Sequence, residues 1–152
     1  MKTVRQLTRR VNYAQYGEHH PINDHQWQMF QKAINNNLSI PEDYKSFMFK
    51  YNGGIFYESV FMPGPDGPVV AATFFPLFSP DGNSVDHHFK YFNKEIGFDM
   101  LPFADDPGGN YFFIDCKKDH FGKVYFWDHE NGKMTEIADT FENFLNSLVL
   151  DE

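Results

Sequence analysis

The stretch Lys123-Val124-Tyr125-Phe126-Trp127-Asp128-His129-Glu130-Asn131-Gly132-Lys133-Met134-Thr135-Glu136-Ile137 decides the fold class. Its first part, Val124-Tyr125-Phe126-Trp127, is apolar at every position rather than at every second one, which predicts a strand covered on both faces. Asn131-Gly132 is a two-residue hairpin signal, because both residues tolerate the positive φ that tight hairpins need. The stretch therefore predicts a strand over 123–128 that returns as a second strand over 133–137. Upstream, 98–104 and 111–116 have the same apolar character and flank Asp105-Asp106-Pro107-Gly108-Gly109-Asn110, a run of turn formers. Short strands separated by turn residues in this way describe an antiparallel meander.

Helical patterns lie on both sides of it. Asp24 is expected to cap a helix in which Trp27, Phe30 and Ile34 share one face and Asn35-Asn36-Asn37 ends the run. Ser39 and Glu42 have capping-box spacing, and Tyr44, Phe47, Met48 and Tyr51 follow on one face. Asn52-Gly53-Gly54 then supplies the left-handed residue with which helices commonly stop. Beyond the meander, Asp139 and Glu142 repeat the capping-box spacing ahead of an apolar face made by Phe141, Phe144, Leu145 and Leu148. In the middle, Pro63-Gly64-Pro65-Asp66-Gly67-Pro68 is a loop, 69–75 a strand, 78–84 turn residues and 85–94 a short helix. The fold class is α+β: a single domain, with a mostly antiparallel sheet and helices packed against it from N-terminal and C-terminal segments. Residues 1–22 lack periodicity and predict a partly ordered arm, leaving 23–152 as the domain.

The 152 residues suit one domain, and a 41% apolar, 18% aromatic composition excludes a disordered chain. The lone Cys116 excludes an internal disulfide framework and fits a reducing compartment. No apolar run approaches a membrane span, and the basic start, Met1 to Tyr13, lacks the apolar core of a signal peptide. These features predict a cytoplasmic protein with no membrane association. Charge is distributed unevenly. Residues 1–80 carry 6 acidic and 7 basic side chains, whereas 81–152 carry 15 and 6. An acidic half repels phosphates, which disfavours direct binding of nucleic acid, and attracts a basic partner. The same imbalance also serves solubility.

Little in the chain points to catalysis. Asp105-Asp106 invites reading as a metal or acid–base pair, but neighbours on an extended segment point to opposite sides, and Asp before Pro-Gly-Gly is a turn former. The histidines (His19, His20, His25, His87, His88, His120 and His129) have no zinc-ligand spacing. Only a site assembled in space, for example from His87, His120 and Asp128, would hold a metal. Cys116 ends an apolar strand and reads as a buried structural thiol. The chain predicts no enzyme, no cofactor and no metal. Asp128 and Glu130, just past the Val124–Trp127 strand, are expected to crowd one rim of the sheet together with Asp115 and Asp119.

Four segments in this order resemble the SUKH superfamily, which takes in a yeast cell-wall regulator and many bacterial immunity proteins. They are Ile40-Pro41-Glu42-Asp43-Tyr44-Lys45-Ser46-Phe47 leading to Asn52-Gly53-Gly54, then Leu101-Pro102-Phe103-Ala104-Asp105-Asp106 with Gly108-Gly109-Asn110, then Val124 to Glu130, and finally Ala138-Asp139-Thr140-Phe141 with Phe144-Leu145. Ile40 stands where the family more often has Leu. The resemblance runs from about Trp27 to Leu148 and implies a non-enzymatic helix-on-sheet domain. It further implies an immunity protein, or antitoxin, that neutralises a cognate secreted toxin by binding its toxic domain, often the C-terminal nuclease domain of a polymorphic toxin. On that expectation the toxin-binding residues are Asp115, Asp119, Asp128 and Glu130, whose carboxylates imitate the phosphates of the toxin's substrate. The alternative is a non-enzymatic regulatory or scaffolding module.

Overall fold

The computed structural model describes residues 7–11 and 22–150. In chain order the elements are β1 (Arg9–Val11), α1 (Asp24–Ile34), α2 (Glu42–Tyr51), β2 (Ile55–Phe56), β3 (Glu58–Phe61), β4 (Val69–Val70), β5 (Thr73–Phe74), α3 (Val85–Phe92), β6 (Met100–Asp105), β7 (Tyr111–Asp115), a 3-10 turn (Lys118–His120), β8 (Val124–Trp127), β9 (Met134–Ala138), α4 (Phe141–Asn146) and β10 (Leu148–Leu150). The expected meander is the centre of the molecule. Strands β5-β6-β7-β8-β9 form one antiparallel sheet, and β10-β3-β4 form a second. This is an α+β single-domain fold.

The continuous apolar character of the central strands has the predicted consequence. Leu101, Phe103, Phe112, Ile114, Val124 and Phe126 join the main core, which also holds Tyr44 and Phe47 of α2 and Phe141 and Phe144 of α4. Phe103 sits at its middle, with ring centroids 5.2 Å from Phe141 and 5.5 Å from Phe144. A smaller cluster gathers Met100, Phe113 and Trp127 beneath Phe92 of α3. Burying one such phenylalanine contributes about 2–3 kcal/mol, so aromatic packing dominates the stability of this domain.

Helix starts are displaced from their expected residues, and capping chemistry explains each case. Asn23, not Asp24, caps α1: its amide oxygen accepts from Gln26 N–H, and the Gln26 side chain accepts from Asn23 N–H in return. Asp24 is left in the first turn, where its charge suits the helix dipole. The Ser39–Glu42 box does not form; Pro41 precedes α2 without a side-chain cap. Asp43 acts instead, with one carboxylate oxygen on Tyr44 N–H at 2.8 Å and the other on Glu142 N–H at 2.9 Å, tying α2 to the start of α4. Thr140 rather than Asp139 caps α4, its hydroxyl accepting from Asn143 N–H at 3.0 Å. Leu148 is not on that helix, because the chain turns at Ser147 into β10 and pairs with β3.

The expected strand over 69–75 is two strands in two sheets. Ala71 N–H still bonds Ser59 of β3, whereas Ala72 N–H bonds Asp105 of β6, so the chain changes partner between two small residues. The hairpin at Asn131-Gly132 is wider than a two-residue turn: Asp128 N–H bonds Lys133 carbonyl and Gly132 N–H bonds Asp128 carbonyl, closing a longer loop. At the end of α2 the left-handed residue is Asn52, and Gly53 follows at φ +75°. A Cβ on Gly53 would lie 2.5 Å from the Phe74 carbonyl oxygen, so only glycine fits there.

Of the expected N-terminal arm, residues 7–11 and Ile22 are described; 1–6 and 12–21 lie outside the described residues, His19 and His20 among them. Leu7 and Ile22 belong to the main core, and β1 pairs with β2. Arg9 lies over the Tyr51 and Phe56 rings and donates to the Tyr51 and Gly53 carbonyls at the end of α2. A cation at a helix C-terminus complements its exposed carbonyls.

Candidate protein-interaction surface

The four expected contact residues do not share a rim. Strands β7 and β8 are antiparallel, with Tyr111 opposite Trp127 and Ile114 opposite Val124. Asp115 therefore ends β7 beside the start of β8, whereas Asp128 follows the end of β8. The two groups are separated by the length of β7, roughly 14 Å at ~3.4 Å per residue. Asp115 is also buried, at 5% exposure, and its carboxylate accepts from Lys117 N–H. Asp119 is exposed in the 3-10 turn, among Lys117, Lys118 and His120. That end is charge-balanced.

The Asp128 end is not. The β6–β7 turn, the β8–β9 loop and the proline-rich loop converge there around a hollow of about 320 Å³ whose walls include Pro65, Asp66, Val70, Asp106, Phe126 and Asp128. Glu130 is exposed beside Asp128, and Lys133 shares an adjoining hollow with Asp66 and Asp128. The charges are held in place by backbone. Asp106 accepts from Gly108 N–H at 2.9 Å and Asn110 N–H at 2.8 Å, and its second oxygen accepts from the Asn110 side chain. The Asn110 side-chain oxygen in turn accepts from His129 N–H at 3.0 Å and lies 2.6 Å from His129 Nδ1. Asp128 accepts from Glu130 N–H at 2.9 Å. The β6–β7 turn and the β8–β9 loop are thereby tied together, which fixes Asp106 and Asp128 in the rim before any partner arrives.

Sequence reasoning placed Asp128 and Glu130 correctly past the strand and missed Asp66 and Asp106 as their neighbours. Asp106 was legible as a turn former, which it is. Nothing local to Asp66 says that the proline-rich loop folds back onto the sheet.

Cys116 and Asp105 sit within the fold. Burial, with the charges of Asp115 and Asp99, pushes the Cys116 thiol up to about 12, a value that denies it a thiolate. Asp105 is pushed up to about 6, mainly by burial, with the Asp106 charge adding and its Thr73 hydrogen bonds opposing. His120 and Asp128 lie at opposite ends of β8, so the His87–His120–Asp128 set does not converge. Among the described residues no group of three His, Cys, Asp or Glu is placed to hold a metal, and no helix is long and apolar enough to cross a membrane.

Comparison with known proteins places this helix-on-sheet domain in a family. The model of the SMI1 / KNR4 family (SUKH-1) matches residues 21–147, and the chain belongs to that family. It is similar to the SPbeta prophage-derived uncharacterized protein YokK of Bacillus subtilis (strain 168), with 28% identity over 156 residues, 88% of this chain and 78% of the relative. The family is associated with immunity proteins, is generally non-enzymatic and implies a protein partner.

Proposed function

We propose that this chain is a cytoplasmic immunity protein that binds a cognate secreted toxin, a nuclease, and occludes its active site without chemistry of its own. Membership of the family over residues 21–147 is the observation that carries this reading. The acidic rim of Asp66, Asp106, Asp128 and Glu130 supports it, since a nuclease presents a basic groove to its phosphodiester substrate. Of the residues expected from sequence, Asp128 and Glu130 take the contact role. Asp119 stands apart from them, and Asp115 is enclosed.

Rim charges act mainly on the association rate. The test is co-expression with candidate nuclease toxin domains, scored by survival, followed by binding kinetics on the pair that protects. Wild-type protein protects, and its on-rate falls as salt rises. The double variant Asp128→Asn, Glu130→Gln slows association several-fold at low salt, with an unchanged melting temperature. Failure of the wild-type chain to protect, or turnover of a substrate by the isolated chain, would overturn the reading.

A further inference from the structure

Two non-glycine residues among the described residues have positive φ: Asn52, which ends α2, and Phe78, at +54°. Asparagine takes the left-handed region readily, whereas for a bulky aromatic residue it is an outlier that the surroundings must enforce. Here they do. Leu77 N–H donates to Asn52 Oδ1 at 3.0 Å, and Phe78 N–H donates to Asp86 Oδ1 at 2.9 Å from the first turn of α3. Val85 N–H bonds the Pro76 carbonyl at 3.0 Å, closing the base of the loop. On its far side Asp81 accepts from Ser79 Oγ and from Asn83 N–H. Leu77 is buried and pins the loop down, while Phe78 is 42% exposed and, among the described residues, stacks on no other ring.

The fold has a poor use for this residue. Glycine or asparagine would satisfy the same backbone with less strain, and neither would leave part of an aromatic side chain in water. Tyr57, Tyr91, Phe98 and Phe121 are more exposed, but none of them is at a positive φ. A residue whose backbone is fixed by a strained, hydrogen-bonded loop has already lost part of the freedom that a binding anchor must lose. Its flanks are acidic, with exposed Asp81 on one side and Asp86 on the other. Strand β5 leaves Asp105 at Thr73 and runs away from it, so the loop is a separate contact from the acidic rim.

We propose that Phe78 is a pre-positioned anchor that inserts into an apolar pocket with basic groups at its mouth on the protein partner. The proposal rests on the immunity-protein reading for the identity of that partner, the toxin domain against which the chain protects. Phe78→Asn keeps a residue that tolerates the left-handed backbone, so the melting temperature should stay within about 4 °C of wild type. Removing a central aromatic anchor should weaken binding about thirtyfold or more, through faster dissociation that is insensitive to salt. Phe78→Tyr should retain binding, and Phe98→Asn should change it less than about threefold. Affinity of Phe78→Asn within threefold of wild type would overturn the anchor and leave the immunity reading standing. A large loss of stability in Phe78→Asn would also overturn it, by showing that the ring serves the fold. A wild-type chain that neither binds nor protects would remove the immunity reading and the anchor with it.

Discussion

Asp105 and His88 flank Tyr111 and make opposite demands on pH. Asp105 stands across the β6–β7 ladder from Tyr111, and the His88 ring centroid is 5.4 Å from the Tyr111 ring. Burial raises Asp105 to about 6, with Asp106 adding and Thr73 hydrogen bonds opposing. Burial lowers His88 to about 4, with His87 adding and Asp86 and Asp81 opposing; the ring stacks on Phe75 at 4.1 Å and meets Asn83 Oδ1 at 2.8 Å. The folded state holds the Asp105 proton more tightly than the unfolded chain does, so this group's contribution is full below about pH 4 and is lost as pH rises through about 6. The folded state holds the His88 proton less tightly, so stability falls as pH drops from about 6.5 through about 4.

The two effects offset one another across the same window. At ~1.4 kcal/mol per pH unit each amounts to roughly 3 kcal/mol, which solvent reaching these partly exposed groups reduces to about 2 kcal/mol. Urea unfolding from pH 4 to 7.5 on single variants separates them. Asp105→Asn gains about 2 kcal/mol on wild type between pH 4 and 7, or roughly 4–8 °C in melting temperature. His88→Gln shows the reverse, gaining about 2 kcal/mol on wild type as pH falls from 7 to 4. Differences from wild type that stay level across the range would refute the assignment of burial as the cause.

Two further outcomes follow from the backbone. Asp43→Ala frees the N–H groups of Tyr44 and Glu142 at once and should cost about 1–2 kcal/mol by denaturant unfolding, with the slope unchanged. Gly53→Ala drives a methyl group into the Phe74 carbonyl at a left-handed position, and should cost more than about 2 kcal/mol or prevent folding; a melting point equal to wild type would show the α2–β5 contact to be adjustable.

The elements whose existence depends on apolar spacing were legible: α1, α2, α3 and the strands β6 to β9 stand close to where periodicity put them. What sequence spacing misplaced was decided by groups far away. Asp139 has the right offset from Glu142 to cap α4, yet Glu142 N–H is taken by Asp43, nearly a hundred residues earlier. The strand over 69–75 reads as continuous because Ala71 and Ala72 are compatible with either sheet; only the positions of Ser59 and Asp105 show that it changes partner. The rim was misread for a simpler reason. Ends of consecutive strands in a meander alternate between the two edges of the sheet, so acids after β7 and acids after β8 face opposite ways. Phe78 has no signal in residue type at all, since its conformation comes from Asn52 and Asp86.

One pattern connects the charge of the chain with its shape. Asp81, Asp106, Asp115 and Asp128 each accept a hydrogen bond from the backbone N–H two residues on, and Asp43 and Asp86 accept from more distant backbone or a neighbouring turn. Five of the fifteen acidic residues in the C-terminal half thus have a structural use: aspartates fold loops that join short elements. Such a carboxylate is held at a fixed place by the turn it caps. A mobile surface glutamate loses rotamer freedom when a partner's lysine or arginine captures it, whereas Asp106 and Asp128 have already given theirs up to the fold. The aspartates that close the loops thus also fix part of the acidic face on which the proposed inhibition rests, which a flexible acidic coat would not do.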